Sequence, residues 1–466
     1  MHYNLYINGS FVESASKDVL HVENPATGEE IATVSAAHKE DVDRAVAGAK
    51  KALASWSTTE PKERLAYVRA MAHHLREEEE TIAKTIATEL GAPLSFARTR
   101  HTRTYLDNID DYLSIAEDYP YVEHHEGFEV HKKPVGVVGA LTPWNYPFGQ
   151  IVKKVIPALL AGCTVVLKPS QRTPLTAYAF VRAAEAAKLP AGVFQLLPGR
   201  GSQVGNALAE HEDVAMISFT GSTSGGREVA RLALSTIKRT ALELGGKSAA
   251  VLLPNYDEKE KALKAVLDTV YLNTGQTCSA KTRLIAPRRE KEEIEDLLVS
   301  LTKGYVFGDP MDPATDVGPL QSLSQFEKVR DYIALGKEEA TLLYESEPIA
   351  AEGYYQGPVI FTDVEPKARI AQEEIFGPVL SVLYYDTVEE AITLANDSIY
   401  GLSGMVFGDE NTAKEVALAI RTGQVQINDH PFTQNAPFGG MKSSGYGREG
   451  SVHGFEEFLE LQTLFI

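Results

Sequence analysis

Two residues of this chain have the chemistry and the setting of a nucleophile and a base. Cys278 is one of only 2 cysteines in 466 residues and ends the polar run 275–278. Core cysteines usually sit in apolar runs, so these polar neighbours favour a reactive thiol over buried filler. Glu243 directly precedes the glycine turn 244–246. A thiol and a carboxylate, each beside a glycine turn, predict a covalent nucleophile and a base that activates water.

Three further positions follow predicted strands, and each has two interpretations. The Asn145 amide is suited to donate to an oxyanion, but taken alone it is more typical of a residue that caps the helix that follows. Lys168 could reach ribose hydroxyls or phosphate, although an exposed surface lysine is the plainer interpretation. Gly221 lies in the run 219–226, which is either a phosphate-binding strand-to-helix turn or an ordinary one. The residues alone leave these alternatives open.

Two more positions have a plain alternative, and the histidines predict no metal site. Glu374 could hold ribose hydroxyls, while a solvated pair with Glu373 is the commoner explanation. Cys163 stands at the start of a predicted strand and is expected to be a buried apolar residue. The 12 histidines lack the spacing of metal ligands, so we predict that the protein holds no metal.

The elements that must position these residues alternate between strands and helices. Two amphipathic helices are predicted at 41–55 and 61–90. Short apolar strands then alternate with helices, which is typical of a doubly wound parallel sheet that binds ligands beyond the carboxyl ends of its strands. The predicted strands are 135–141, 164–168, 193–197 and 216–219, and the predicted helices are 147–161, 174–188, 202–210 and 224–234.

A second α/β unit and a small extra sheet complete the predicted fold. The alternation resumes at residue 249 and continues to about residue 430. The segments 119–132 and 457–466 are strand-like and lie outside both units. The second segment ends in the apolar run 464–466, which would promote aggregation unless a neighbour covers it. A partner subunit is the expected cover.

Composition restricts the class of protein. An apolar fraction of 44% and a charged fraction of 23% are ordinary for a globular chain, and the length favours two or three domains. The net charge of -19 disfavours nucleic acid and anionic membranes as partners. The longest apolar stretch, 156–167, is short of the ~20 residues that a membrane span needs, and residues 1–6 lack signal-peptide features. Because cysteines are scarce, we predict a reducing, cytoplasmic location.

Taken together, the motifs resemble those of the aldehyde dehydrogenase superfamily over essentially the whole chain. Each block is weak alone, but seven in one order are difficult to explain by chance. The blocks are 143–145, 168–170, 219–222, 243–247, 275–278, 374–378 and 437–440. The resemblance implies oxidation of an aldehyde to a carboxylic acid, with NAD or NADP as cofactor.

The resemblance also implies an α/β fold of three parts: a doubly wound parallel-sheet cofactor domain, an α/β catalytic domain and a small β oligomerisation domain. By analogy, the NAD(P)-binding domain comprises 1–118 and 134–244, and the catalytic domain comprises 245–441. The oligomerisation segments are then 119–133 and 442–466. A homodimer or homotetramer is expected.

Residue by residue, the resemblance implies that Cys278 is the nucleophile and Glu243 the general base. Asn145 and the backbone N–H of Cys278 would form the oxyanion hole. Lys168 and Glu374 match the positions that hold the two cofactor riboses. The other implied cofactor contacts are Phe376 by the nicotinamide ribose, Gly221 and Ser222 by the pyrophosphate, and Trp144, Ser170, Gln171 and Leu244.

Two other functions are compatible with this resemblance. A CoA-acylating relative would pass the acyl group to a thiol, but such enzymes generally do without the base that Glu243 provides. A catalytically inactive relative, acting as a binding or structural protein, would be expected to have lost the nucleophile or the base, and both are present. A non-acylating enzyme is therefore the leading hypothesis.

One departure from the family pattern bears on the cofactor. Many NAD-preferring relatives carry Glu three residues after the ribose lysine, where it binds the adenosine 2′-hydroxyl. This chain has Gln171 there, followed by Arg172. A neutral residue removes repulsion against a 2′-phosphate, and a nearby arginine could pair with it, so we predict that NADP is accepted.

Lys153 bears on the substrate. It follows Asn145 by about two turns of the predicted helix, on or near the side that would border the aldehyde tunnel. Some relatives that oxidise semialdehydes carry a cation there to bind a distal carboxylate. The alternative is a solvated lysine beside Lys154.

Overall fold

The structure is a computed structural model that describes residues 1–347, 349, 352–428 and 430–466. Within these residues the strands form four sheets, of eight, seven, three and three strands. The two large sheets have parallel cores, and most of the central strands are buried along their whole length because helices cover both faces. The structure therefore has the α/β class and the two parallel-sheet units that the alternation predicts.

The first large sheet is doubly wound. After Val137–Leu141 the chain adds two strands on one side of it, and then returns to add Met216–Thr220 and Arg239–Glu243 on the other side. The direction of winding therefore switches between Val137–Leu141 and Met216–Thr220. Ligands bind at such a switch point, beyond the carboxyl ends of the strands. In spatial order the strands are Gly445–Tyr446, Arg239–Glu243, Met216–Thr220, Val137–Leu141, Thr164–Lys168, Phe194–Leu196, Leu5–Ile7 and Ser10–Val12.

The second large sheet is parallel except at one edge, where Thr341–Glu345 is antiparallel to its neighbour. The chain enters this sheet directly from the first one, because the strand Arg239–Glu243 leads through a glycine turn into Ala249–Leu252. In spatial order the strands are Thr341–Glu345, Val359–Thr362, Val379–Tyr385, Arg283–Pro287, Ala249–Leu252, Ser403–Phe407 and Gln424–Ile427.

The helices cover the sheets, and one of them departs from expectation. The prediction of a single helix over 61–90 is wrong, because Pro61–Glu77 and Glu79–Leu90 are separated at Glu78. At this break the Glu78 carboxylate accepts a hydrogen bond from Arg182 Nη2 at 2.6 Å. The remaining α-helices are Lys39–Trp56, Leu94–Phe96, Thr104–Glu117, Pro147–Ala161, Ala177–Ala186, Asn206–Glu210, Thr223–Ala233, Lys259–Tyr271, Lys291–Thr302, Leu323–Glu339, Arg369–Gln372, Val388–Asn396, Glu410–Ala419 and Ser451–Glu456. No helix in the described part of the chain is long and apolar enough to cross a membrane.

Each of the two small sheets includes a strand from one end of the chain. One joins Val122–His125, Phe128–Pro134 and the C-terminal Leu459–Phe465, so the strand-like segments near 119–132 and 457–466 pair as expected. The other joins His2–Tyr3, Glu29–Ser35 and Val19–Asn24.

The proposed domain division stays a prediction, with one difference in detail. Gly445–Tyr446 falls in the expected oligomerisation segment 442–466, but it pairs antiparallel with Arg239–Glu243 of the first large sheet. The strand of this segment that does enter the small sheet begins at Leu459. A strand of two residues is too short to show a hydrophobic pattern, so its pairing with the first large sheet could not be predicted from the sequence.

Candidate active site

A strained loop leads to Cys278. Asn273 and Thr274 have φ angles of 52° and 59°, and Gly275 follows with 74°. Left-handed geometry costs a residue with a side chain of order 1–3 kcal/mol, so the surrounding packing must impose it. A Cβ added at Gly275 would lie 2.2 Å from the carbonyl carbon of Gly377. The loop is therefore held tightly, and it fixes where the thiol stands.

Asn145 lies across this loop. Its Nδ2 donates to the carbonyl oxygen of Gln276 at 2.9 Å, and Asn273 Nδ2 donates to the Asn145 carbonyl oxygen at 2.9 Å. The capping alternative is wrong, because Tyr146 occupies the N-cap of Pro147–Ala161 and no side chain caps that end. A carboxamide nitrogen has two hydrogens, so one donor of Asn145 is free for an oxyanion.

Cys278 has a free backbone donor and a protonated thiol. Within the described residues, its N–H donates to no backbone or side-chain acceptor. The residue as a whole is partly exposed. Burial, followed by the charges of Glu374 and Glu243, raises the pKa of the Cys278 thiol to about 12. At neutral pH the thiol of the cofactor-free protein is protonated, so a proton must leave before attack.

We expect alkylation of Cys278 by iodoacetamide to be slow at neutral pH in the cofactor-free protein and to accelerate up to pH ~10 without a plateau. The thiolate is the reactive form, so the rate follows the fraction of thiolate and levels off only above the thiol pKa. An ordinary thiol, with a pKa of ~8.5, would level off by pH ~10. Mass spectrometry of the labelled peptide measures the rate. Cys278→Ala reports the background from Cys163, which is fully buried as expected. A plateau near pH ~7 would contradict the raised pKa.

Glu243 is a buried carboxylate without a partner. It ends the strand Arg239–Glu243 and is 4% exposed, and neither of its carboxylate oxygens has a hydrogen-bond partner among the described residues. Burial, followed by the charge of Glu449, raises the pKa of Glu243 well above its ordinary value. A Cβ added at Gly246, in the turn after Glu243, would lie 2.5 Å from the Cys278 carbonyl oxygen. The base and the nucleophile are thus carried by segments in close contact.

The predicted phosphate-binding turn lies at the switch point of the first sheet. The Ser222 hydroxyl caps the helix that follows, accepting from the Gly225 N–H at 3.1 Å. A Cβ added at Gly226 would lie 2.4 Å from Leu244, so this helix packs directly on the segment after Glu243. Gly221 precedes the helix N-terminus, where free N–H groups favour an anion.

Lys168 and its successors line the same edge. Lys168 ends its strand and is 8% exposed, so the exposed-lysine alternative is wrong. Its ammonium has no hydrogen bond or ion pair in the described part of the chain, and burial lowers the pKa of Lys168 to about 8. Ser170 accepts a hydrogen bond from the N–H of Arg172 at 3.3 Å, and Gln171 is exposed.

Glu374 faces the glycine turn that follows Glu243. Its Oε1 accepts from the Gly246 N–H at 2.9 Å, and a Cβ added at Gly245 would lie 2.4 Å from Oε2. The two glutamates do not act as one solvated pair, because Glu374 accepts from the Gly246 N–H whereas Glu373 binds Arg369 at 2.9 Å. Burial raises the pKa of Glu374.

Two aromatic rings from the segments that carry Asn145 and Glu374 pack against each other. Trp144 and Phe376 meet edge to face, with centroids 5.3 Å apart. Phe376 has a φ of 64°, a costly geometry that its surroundings must impose. Arg172 lies 5.6 Å from the Trp144 ring centroid and donates to Ser324 Oγ at 2.8 Å. This arginine is therefore engaged with Trp144.

The profile of the Aldehyde dehydrogenase family matches residues 11–464, almost the whole chain. The chain belongs to the aldehyde dehydrogenase family. It is an oxidoreductase that oxidises aldehydes with NAD(P)+, and the resemblance carried by the seven motifs is confirmed.

Curated relatives and solved structures agree with family membership over the full length. The chain is 43% identical over 465 residues to 3-succinoylsemialdehyde-pyridine dehydrogenase of a Pseudomonas species, covering 98% of this chain and 97% of that one. A variant of aldehyde dehydrogenase C from Pseudomonas syringae, complexed with NAD+ and octanal, is 41% identical, with a TM-score of 0.97 over 99% of this chain and 96% of that one. An aldehyde dehydrogenase of Mycobacterium tuberculosis complexed with NAD+ is 40% identical, with a TM-score of 0.97 over 100% of this chain and 98% of that one.

The residues at this edge of the first sheet fit the dinucleotide that this family uses. Lys168 presents a buried ammonium that has no partner among the described residues, which suits hydroxyl or phosphate oxygens. Gly245 leaves no room for a side chain beside Glu374, whose carboxylate accepts a hydrogen bond from the Gly246 N–H. The helix N-terminus after Gly221 suits a pyrophosphate. Polar groups matched to ribose and phosphate thus converge on the switch point of the first sheet.

The family motifs missed one buried ion pair beside Glu243. Lys154 is fully buried, its ammonium binds the Glu449 carboxylate, and it also donates to Ser218 Oγ at 3.3 Å. The one available signal was the pair of lysines within the apolar run 151–156, because lysine is rarely found inside such a helix without a partner. Glu449 lies 295 positions away along the chain, so the pairing itself could not be predicted.

Proposed function

We propose that the chain oxidises aldehydes to carboxylic acids through a covalent intermediate on Cys278, hydrolysed with the help of Glu243. The observation that carries this proposal is the unpartnered buried carboxylate of Glu243, packed against the Cys278 segment through the Gly246 turn. Burying a carboxylate without a partner lowers stability, and such groups are found mainly at functional sites. Asn145 and the Cys278 N–H are the matching donors for an oxyanion.

Acylation follows from these groups. The Cys278 thiol first loses its proton to solvent; the thiolate then forms a bond to the carbonyl carbon, and the C=O electron pair moves onto oxygen. One Asn145 N–H and the Cys278 N–H donate to this oxyanion; loss of one such donor typically costs ~3–4 kcal/mol. A bound NAD(P)+ would supply the hydride acceptor that turns the resulting thiohemiacetal into a thioester on Cys278.

Deacylation is the task of Glu243. Its carboxylate takes a proton from water while the water oxygen attacks the thioester carbonyl. The C–S bond then breaks and the carboxylic acid leaves; the proton on Glu243 passes to the departing sulfur, which restores the Cys278 thiol and the Glu243 carboxylate. A pKa raised by burial suits a base that must accept and release protons near neutral pH. Because this base is present, transfer to water is favoured over transfer to a CoA thiol.

The cofactor would be held by residues already described. Lys168 and Glu374 are suited to the ribose hydroxyls, and the helix N-terminus beside Gly221 and Ser222 to the pyrophosphate. Trp144, Ser170, Gln171, Leu244 and Phe376 complete the proposed cofactor contacts. Asn145 and Cys278 would then be next to the nicotinamide.

The chain is expected to use NADP as well as NAD. Gln171 is exposed and neutral, so nothing at this position repels a 2′-phosphate, whereas Arg172 is engaged by Trp144 and Ser324. Gln171→Glu should weaken NADP use at least tenfold while changing NAD use little, since a like charge opposes only the phosphate. An aldehyde panel read by reduced-cofactor absorbance with each dinucleotide measures this. A wild-type preference for NAD of about a thousandfold or more (~4 kcal/mol) would contradict it.

Assembly through the small sheet is also proposed. The C-terminal strand Leu459–Phe465 carries apolar side chains at an edge, and Leu461 and Phe465 are 69% and 84% exposed. Such an edge is stabilised when a second copy covers it, which favours a homodimer or homotetramer. The two free cysteines accord with a reducing cytoplasm. Light scattering measures the mass, and a monomer would contradict the assembly.

A further inference from the structure

Lys247 is a buried cation to which the proposed reaction assigns no role. It is 1% exposed, and its ammonium has no hydrogen bond or ion pair with any described residue. Lys154, by contrast, binds Glu449. Lys153 is 5% exposed and its ammonium lies 4.5 Å from the Phe438 ring centroid, so the alternative of a solvated lysine is wrong. Burying an ammonium without a partner lowers stability, and such groups are found mainly at functional sites.

Lys247 lines a small cavity together with other polar groups. The cavity has a volume of about 10 Å³, which is room for one water molecule or one monatomic ion. Ser248 and Thr422 also line it, and their hydroxyl oxygens are buried with no hydrogen-bond partner in the described part of the chain. An ammonium and two hydroxyls can all donate hydrogen bonds. The lining therefore suits a single small acceptor.

The charges around this cavity are mostly positive. Arg283 is in the lining, is 2% exposed, and donates to backbone carbonyl oxygens, including that of Lys247 at 2.9 Å. Carbonyl oxygens have no formal charge, so the guanidinium charge stays uncompensated. Arg421 lines the cavity as well. The carboxylate whose charge acts on Arg283 is that of Asp397, and it is bound by Lys367 at 2.6 Å.

The two carboxylates whose charge acts on Lys247 are also engaged by other groups. These are Glu374 and Glu373. Glu374 accepts from the Gly246 N–H at 2.9 Å, and Glu373 binds Arg369 at 2.9 Å. The protein thus brings donors and positive charge to the cavity but leaves the negative charge to a ligand.

We propose that this cavity is a binding site for one monatomic anion, chloride, held by the Lys247 ammonium and the hydroxyls of Ser248 and Thr422. A carboxylate or a phosphate is too large for the cavity. A water molecule would fit, but it would leave the charges of Lys247 and Arg283 uncompensated.

The anion would join the amino ends of three strands of the second sheet. Ser248 directly precedes Ala249–Leu252, Arg283 begins Arg283–Pro287, and Thr422 lies just before Gln424–Ile427. The proposed role is therefore structural, and it does not depend on the reaction at Cys278.

Diffraction is the direct test, with crystals soaked in sodium bromide and data collected at the bromine absorption edge. An anomalous peak is expected inside the cavity, within hydrogen-bond distance of the Lys247 ammonium. The peak should be absent from Lys247→Met. A water molecule in the cavity, with no anomalous peak, would overturn the proposal.

Thermal unfolding in sodium chloride and in sodium gluconate at equal ionic strength tests binding in solution, since gluconate is too large to enter. At pH 6, chloride should raise the Tm of the wild type in a saturable way, by ~2 °C or more. Burial, followed by the charge of Arg283, lowers the pKa of Lys247 to about 7, and Lys328 acts in the same direction. Because the anion binds the charged lysine, half of the effect should need about tenfold more chloride at pH 8 than at pH 6.

Variants separate this site from a general effect of salt. Lys247→Met should lose the response to chloride, and Ser248→Ala should need several-fold more chloride. The matched control is Lys238→Met, which removes a partly buried lysine that donates to the His211 carbonyl oxygen, and it should respond as the wild type does. A response kept in Lys247→Met would mean a general salt effect and would overturn the proposal. A bromide peak without any response in solution would mean binding at crystal concentration only, which would also overturn it.

Discussion

Cys278→Ala is expected to abolish aldehyde oxidation while the protein stays folded and still binds its cofactor. The loss should approach ~10⁶-fold, as when the nucleophile of a covalent hydrolase is removed. Cys278 as a whole is partly exposed, so truncating it should cost little stability. Turnover measured by reduced-cofactor absorbance tests the first point, and calorimetric titration with the dinucleotide tests the second.

Cys163→Ala is the matched control for this variant. Cys163 is fully buried and its thiol donates to the Phe458 carbonyl oxygen at 3.4 Å, remote from the cleft. The control should lose some stability and keep its activity. More than a trace of turnover in Cys278→Ala would mean that another group attacks the aldehyde, and the proposed mechanism would fail.

Glu243→Gln is expected to acylate normally and to stall at hydrolysis. Glutamine has nearly the shape of glutamate but cannot take a proton from water, so the thioester on Cys278 should accumulate. Rapid mixing should then show a burst of about one reduced cofactor per site, followed by a steady state slower by ~10²–10⁴-fold. Mass spectrometry of the quenched protein should detect the acyl group on Cys278. Unchanged steady-state turnover would exclude Glu243 as the base.

The same variant should alter the pH profile. Burial and the charge of Glu449 raise the pKa of Glu243, and only the ionised form accepts a proton. Wild-type deacylation should therefore increase as the pH rises through this raised pKa and decline below it. In Glu243→Gln this acidic limb should disappear, since no carboxyl remains to titrate.

The strands of the first sheet were predictable because each is a short apolar run bounded by turns. Thr164–Lys168 has the predicted bounds, and Val137–Leu141 begins only slightly late. The break at Glu78 was not predictable, since it accompanies a bond to Arg182 far along the chain. The strand Arg239–Glu243 was also not predicted: its first residues are polar, and its partners are set by the sheet.

The site shows the same division between local and tertiary information. Motifs identified Cys278, Glu243 and Asn145, because the chemistry of these residues is evident from their types and neighbours. Sequence alone could not choose between a solvated and a buried Lys153. Its burial depends on Phe438, which reaches it from the C-terminal part of the chain.

The proposed reaction centre is divided between two sheets. Glu243 ends a strand of the first sheet, whereas Cys278 precedes the strand Arg283–Pro287 of the second. The turn at 244–246 and the bond from Asn145 to the Gln276 carbonyl join the two halves. Activity therefore depends on the alignment of the two sheet units, each of which has its own hydrophobic core. A change that loosens the contact between the two units would abolish activity while both cores stay folded. During heating, residual activity should therefore report the loss of this contact earlier than helix content does.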